Sequence, residues 1–299
     1  MTSRLKALLT PYLFLAPALL VLAIAVFRPA FQAFQYSFLS FDYSNINEAP
    51  SWIGLDNFQR LIEDDLFWKT LKNMVVYAVC VVPLLVVLPL GLAILVNQKL
   101  RGINWFRVAF YAPVVVSIVV AGIAWNWLYV VDGGLLNQSL SAIMGREIRV
   151  PWLTRPERAL YSVMAVTVWK GLGYYMVIYL AGLQSLPADL YEAAAIDGSD
   201  GWRKHWDITV PLMKPYIFLV GVISAIASTK VFEEVFVMTK GGPLNSTKTP
   251  VYYIYESAFG SSPDYSYACT IGLALFLIVV VLSAIRLVFF NPAESGTQL

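Results

Sequence analysis

The residue types that carry covalent or metal chemistry are nearly missing from this chain. It has one histidine, His205, and two cysteines, Cys80 and Cys269. Both cysteines fall inside apolar runs, where they read as small core side chains and not as a disulfide. With so few ligands a His/Cys metal site is not expected, and no H-E-x-x-H pair can form. No G-x-x-x-x-G-K-[ST] loop is present to cradle phosphates, and no G-x-S-x-G elbow to carry a nucleophilic serine. The expectation is a chain that catalyses nothing by itself and holds no metal.

What remains is a set of polar groups in apolar surroundings. Charges inside membrane segments are costly and as a rule face a cavity or a partner. Lys170 sits near the middle of one apolar run, in VWKGLGYYM, with Trp169, Tyr174 and Tyr175 beside it and Gly171 and Gly173 loosening the backbone. Aromatic faces stack on the C–H faces of a sugar while a few polar groups bond its hydroxyls. The cluster is therefore a candidate solute pathway; the alternative is a lysine that only pairs with an acid on a partner. In the next run Ser224 and Ser228 lie four apart, share a helix face, and join the candidate pathway. Lys230 and Glu234 are also four apart, but in the weaker order and near the run's end, where snorkelling to water is cheap. A surface ion pair is expected there. Asp64 and Asp65 read as a solvated charge pair, and His205, beside Lys204, as a solvated or partner-facing side chain.

These groups need elements to position them. The 299 residues are 59% hydrophobic and 13% charged, against roughly 25% charged in an ordinary soluble domain. That places the chain among integral membrane proteins, and a net charge of +2 gives no argument for nucleic acid. A spanning helix takes about 20 apolar residues, and six runs qualify: 11–36, 72–96, 106–131, 159–183, 214–238 and 266–290. The expected fold is all-α, with six transmembrane helices in a single domain over residues 1–299 and both termini on one side. The first run is longer than a signal core and shows no small-residue cleavage site, so it is read as a span. With cytoplasmic termini, basic residues divide nine inside against eight outside, only a weak lean from the positive-inside rule.

Residues 184–215, between the fourth and fifth runs, are unlike the rest. Pro187 opens a helix with Asp189 and Glu192 near its positive end, Ala193, Ala194 and Ala195 are expected to give it a small, flat face beside a carboxylate, and Gly198 is where it stops. A second short helix follows, with Trp202 and Trp206 on one face, ending at Pro211. Two readings stay open on physics alone: an amphipathic element resting on the lipid interface, or a small-faced handle for another protein.

The order Glu192-Ala193-Ala194, Asp197-Gly198, Trp206, Ile208-Thr209-x-Pro211 resembles the EAA signature of permease subunits of binding-protein-dependent ABC importers. Serine stands at 199 where alanine is common, and tryptophan at 206 where phenylalanine is common. GLDNFQRLIEDDLFWKTLKN, FRVAFYAPVVVSIVVAGIAWNWLYVVDGGLLN and VFEEVFVMTKGGPLNSTKTPVYYIYESAF are similar to the carbohydrate, maltose-type branch, and to the first permease of its pair. The resemblance implies a type I ABC importer permease fold in a bacterial inner membrane, with both termini cytoplasmic. It implies that loop 184–215 is cytoplasmic and that Glu192, Ala193, Ala194, Asp197, Gly198, Trp206 and Pro211 couple it to an ATPase. The partners implied are a second homologous permease, a dimeric nucleotide-binding ATPase that holds the ATP and Mg, an extracytoplasmic solute-binding protein, and membrane lipid. The cargo expected is a sugar or sugar-like solute, with a neutral oligosaccharide or glycosylated polyol favoured because only Lys170 lies mid-run. The rival reading is an ion-gradient-driven secondary transporter, which would want intramembrane carboxylates at the midplane.

Overall fold

The computed structural model describes residues 3–41, 50–98 and 100–289. Lys99 of the basic stretch and residue 290, the end of the sixth predicted run, lie outside them. Helix α1 (Ser3–Leu22) passes through a π-helical stretch, Ala23–Phe27, into α2 (Arg28–Tyr36). A two-residue antiparallel pair follows, β1 (Leu39–Ser40) with β2 (Ser51–Trp52), in the register Leu39↔Trp52. Then come α3 (Asp56–Glu63), α4 (Asp65–Val96), α5 (Ile103–Val115), α6 (Ile118–Leu128), α7 (Leu135–Met144) and α8 (Pro156–Gln184). The chain continues through α9 (Ala188–Ile196), a π-helical turn at His205–Thr209 and α10 (Val210–Leu212). It finishes with α11 (Lys214–Thr229), α12 (Glu233–Met238), α13 (Pro250–Phe259) and α14 (Tyr265–Phe289).

Two compact units result, Met1–Phe67 with Tyr253–Leu299, and Trp68–Tyr252. In the first, α2 and α3 pack on α14. Buried Asn57 donates to the carbonyls of Ser37 and Leu39, both at 3.2 Å, and Thr270 donates to Ser37 at 3.2 Å. Those bonds satisfy the backbone where α2 unwinds into β1, as a buried chain turn requires. Side chains 10–31 are all exposed, so this apolar surface needs lipid or another protein to cover it.

In the second unit α8 is central, with α5, α11 and α12 against it. Its buried residues, from Ala159 to Leu183, lie around the whole circumference, the pattern of a helix enclosed by others. Glycines permit the close approaches. A Cβ on Gly173 would stand 2.2 Å from the Phe110 carbonyl oxygen, and one on Gly182 would meet the Tyr216 ring at 2.8 Å. Without a hydrophobic force between helices in lipid, such small-residue contact is what holds them.

Among the described residues three helices are long and apolar enough to cross a membrane, Thr10–Tyr36, Asp65–Val96 and Pro156–Gln184, or five if each bent pair counts as one. The third predicted span is not one rod. α5 and α6 meet at 99°, across Val116 and Ser117, which have extended backbone with ψ of 132° and 139°. The fifth is likewise broken. It bends by 59° before Lys214, and it leaves the helix at Lys230–Phe232 before α12 begins. The expected Lys230–Glu234 pair is overturned by that break, because four-residue spacing aligns side chains only on a continuous helix. Glu234 instead meets Thr167.

Candidate functional site

Thr167, Lys170, Gly171 and Tyr174 follow the spacing of one α8 face, and this face lines a cavity of about 420 Å³. Tyr175 lines it too, set edge-on to Tyr174 with ring centroids 5.1 Å apart. The facing wall is Ser224 and Ser228 of α11, and Tyr77 of α4 adds a phenol. The break after α11 turns Lys230, Glu233 and Glu234 toward the same space. Five of the six predicted pathway residues thus share one cavity. Trp169 does not: it points to the other side of α8, beside Cys80, Leu84 and Leu172, and packs edge-on against Trp125 at 5.4 Å. Adjacent helical residues diverge by about 100°, so Trp169 and Lys170 have no reason to share a face.

A hydroxyl chain crosses the cavity wall. Tyr77 Oη donates to Thr167 Oγ1 at 2.6 Å, and Thr167 Oγ1 donates to Glu234 Oε1 at 3.4 Å. Ser224 is fully buried and donates to the Val220 carbonyl at 2.7 Å, so its hydroxyl serves its own helix. Lys170 Nζ donates to the carbonyls of Pro113, Val114 and Val116 at 3.3, 3.0 and 2.7 Å. Tyr77, Thr167, Glu233 and Glu234 were not anticipated as neighbours of this cluster. Thr167 carried a usable signal, three residues before Lys170 on one face; Tyr77 carried none, since its approach depends on how α4 packs.

The segment 184–215 is the second candidate. α9 ends in a Schellman motif: Ser199 N donates to Ala194 O at 2.8 Å and Gly198 N to Ala195 O at 3.2 Å, with Gly198 at φ +81°. The chain then reverses and is pinned, because Asp207 Oδ2 accepts from Ser199 Oγ at 2.7 Å and from Arg203 Nε at 3.1 Å. Buried Thr209 ties the two helices, 3.2 Å from Tyr191 Oη and 3.1 Å from His205 Nδ1. Partial burial, then the charge of Lys204, holds the His205 imidazole below its ordinary value. Glu192, Ala193, Asp197, Gly198, Trp206 and Pro211 are exposed. Ala194 is buried at 6%, which corrects the expected outward face of three alanines: a helix turns about 100° per residue, so three in a row cannot face one way. Ile196, Trp202 and Trp206 project with 87%, 71% and 72% of their surface open, an apolar patch on an otherwise polar loop.

Residues 67–291 match the family described as binding-protein-dependent transport system inner membrane component. The chain belongs to that family. Its similarity extends to the lactose transport system permease protein LacF of Rhizobium radiobacter, 34% identical over 92% of each chain. It also extends to the probable starch degradation products transport system permease protein AmyD of Thermoanaerobacterium thermosulfurigenes, 33% identical over 95% of this chain and 94% of the relative. Among solved structures, a bacterial ABC transporter involved in the import of the acidic polysaccharide alginate superposes with a TM-score of 0.81 at 24% identity, covering 99% of this chain and 100% of the other. The fold is therefore that of an ABC importer permease. The family match contains every cavity-lining residue and all of 184–215, and it begins only after α3.

Proposed function

We propose that this inner membrane component is the non-catalytic permease subunit of an ATP-driven importer for a neutral sugar or sugar-like solute. The observation that carries the reading is the cavity. Its two ammonium groups, Lys170 and Lys230, face two carboxylates, Glu233 and Glu234, with Tyr174, Tyr175 and the Ser228 hydroxyl between α8 and α11. Balanced charge gives an anion no advantage, while aromatic rings and hydroxyls suit a polyol. The relatives named for lactose and for starch products point the same way. The permease spans six times with both termini in the cytoplasm, α5–α6 and α11–α12 being broken spans and α14 the last. Segment 184–215 passes the motion of a dimeric ATPase, which holds ATP and Mg, to α8 and α11. A second permease completes the pair, and a solute-binding protein delivers cargo from outside. The alginate importer relative was solved with its periplasmic protein bound.

Purification from the native membrane in mild detergent tests this, with mass spectrometry of the co-purifying chains and uptake in liposomes. An ATPase, a second permease and ATP-dependent uptake of a neutral sugar are expected. A chain that moved solute alone down an ion gradient would overturn the reading, and preference for a phosphorylated solute would overturn its cargo half.

A further inference from the structure

We propose that Lys170 is a positioning residue that clamps the break between α5 and α6, and is not a ligand for the cargo. The inference rests on the transport reading above and changes the role of its most conspicuous side chain. A helix that stops at Val115 leaves the carbonyls of its last turn without amide partners. At membrane depth such carbonyls are met by protein donors or by water in a cavity, never by lipid. An ammonium has three donors, and Lys170 places them on Pro113 and Val114 in the last turn of α5 and on Val116, the residue that caps it at the break. The partnership satisfies both parties: the negative end of α5 receives a cation, and a charge at membrane depth receives a full set of acceptors.

The rest of α8 supports the clamp. Gly173, one turn further on, lets α8 meet the α5 backbone at Phe110 so closely that any Cβ would stand 2.2 Å from its carbonyl oxygen. Lys170 and Gly173 thus seat α5 on α8 from the same face, one by charge and one by absence of a side chain. The 99° bend between α5 and α6 is then fixed by Lys170, and with it Val114, the α5 residue that lines the cavity. A lysine whose donors are all engaged by backbone has none free for a sugar hydroxyl. Tyr174, Tyr175, Ser228, Lys230 and the two glutamates are what the cavity offers to cargo.

The test uses the assembled importer in nanodiscs. Cys80 and Cys269 are replaced by serine, and spin labels are attached through Phe106→Cys on α5 and Ile123→Cys on α6, both at exposed positions. Pulsed-dipolar distances and Mg-ATP hydrolysis are read for Lys170→Met, Lys170→Gln and Lys170→Arg. Loss of the clamp is expected to widen the distance distribution about twofold in the Met variant, and less in the Gln variant, which keeps two donors. ATP turnover is expected to change about fivefold in the Met variant, while Arg retains the parental distribution and rate. Should Met insert poorly, Gln against Arg still decides. A Met variant with the parental distribution overturns the clamp and returns Lys170 to the solute pathway. If no ATPase assembles with the chain, the transport reading fails while the distances still judge the clamp.

Discussion

Asp64 accepts from Tyr253 Oη at 2.7 Å, from Tyr267 Oη at 2.5 Å and, through its other oxygen, from the Leu66 amide at 2.8 Å. Partial burial alone would raise its pKa, but these bonds to the charged form outweigh burial and the group titrates below the ordinary 3.8. Beside it Arg60 lies 3.9 Å over the Tyr267 ring and pairs with Asp264 at 2.8 Å. A solvated charge pair was the expectation for Asp64; the structure makes it the knot of the first unit. Nothing local announced this, because its tyrosine partners lie about 190 and 200 positions away. Asp64→Asn is expected to cost about 1.5–3 kcal/mol, the range for hydrogen bonds to a charged group, seen as a lower melting point in detergent at pH 7. The same stabilisation is present above the unfolded value and fades as pH falls through the lower folded value, so the variant and the parent converge in strong acid. His205 has the opposite chemistry. Its lowered value means that the fold prefers the neutral ring, so protonation below about pH 6.5 should loosen the 184–215 segment. Lower hydrogen-exchange protection around Thr209 at pH 5.5 than at pH 7.5, each taken relative to the intrinsic rate at that pH, would register it, and His205→Asn should abolish that loss of protection.

At the scale of elements, breaks and close approaches explain which readings survived. Length and hydropathy located the long rod α8 to within a few residues and the end of α4 at residue 96, because twenty apolar residues in a row have few alternatives. α4 begins at Asp65, seven residues before the expected 72, because its first two turns carry charge. The breaks at Val116–Ser117 and Lys230–Phe232 left no such trace. Pro113 stands before the first break and no proline or glycine stands within the second, and both are met by side chains distant in sequence: Lys170 donates to the Val116 carbonyl at the first, and Thr249 to the Val231 carbonyl at the second, at 2.7 Å. Gly198, in contrast, announced its turn, since a helix end followed by φ > 0 has one favoured residue. The close approaches differ in what they tolerate. Gly173→Ala drives a methyl into the α5 backbone, whereas Gly182→Ala meets side chains, the Tyr216 ring and the end of Met213. Overpacking by one methyl costs about 1–3 kcal/mol when the neighbour cannot yield. Gly173→Ala is expected to reach that range in a chemical-denaturation or thermal series, and Gly182→Ala to fall below about 1 kcal/mol. Equal losses in the two would refute the rigid seat assigned to α5.

For the whole molecule the question is what covers its apolar surface. The family match and the importer fold account for a bilayer around α4 and α8, but Ile196, Trp202 and Trp206 lie on the polar segment 184–215 and remain bare. Sequence alone left two occupants for that patch, lipid headgroups or another protein, because an amphipathic face looks the same to both. The structure narrows the choice by pinning the segment to itself through Asp207 and Thr209, which presents the patch as a preformed surface, and rigid aromatic anchors of this kind dominate protein interfaces. Replacing both Trp202 and Trp206 by serine removes two such anchors, each expected to contribute about 2 kcal/mol or more to docking, roughly 30-fold in affinity apiece. On the proposed function the double variant should therefore lose the ATPase on a detergent pull-down while keeping the second permease. Glu192→Lys should act more mildly, keeping the ATPase but lowering uptake per ATP hydrolysed. If the tryptophans rest on lipid instead, the ATPase will stay bound in the double variant and only the segment's accessibility to a soluble quencher will rise.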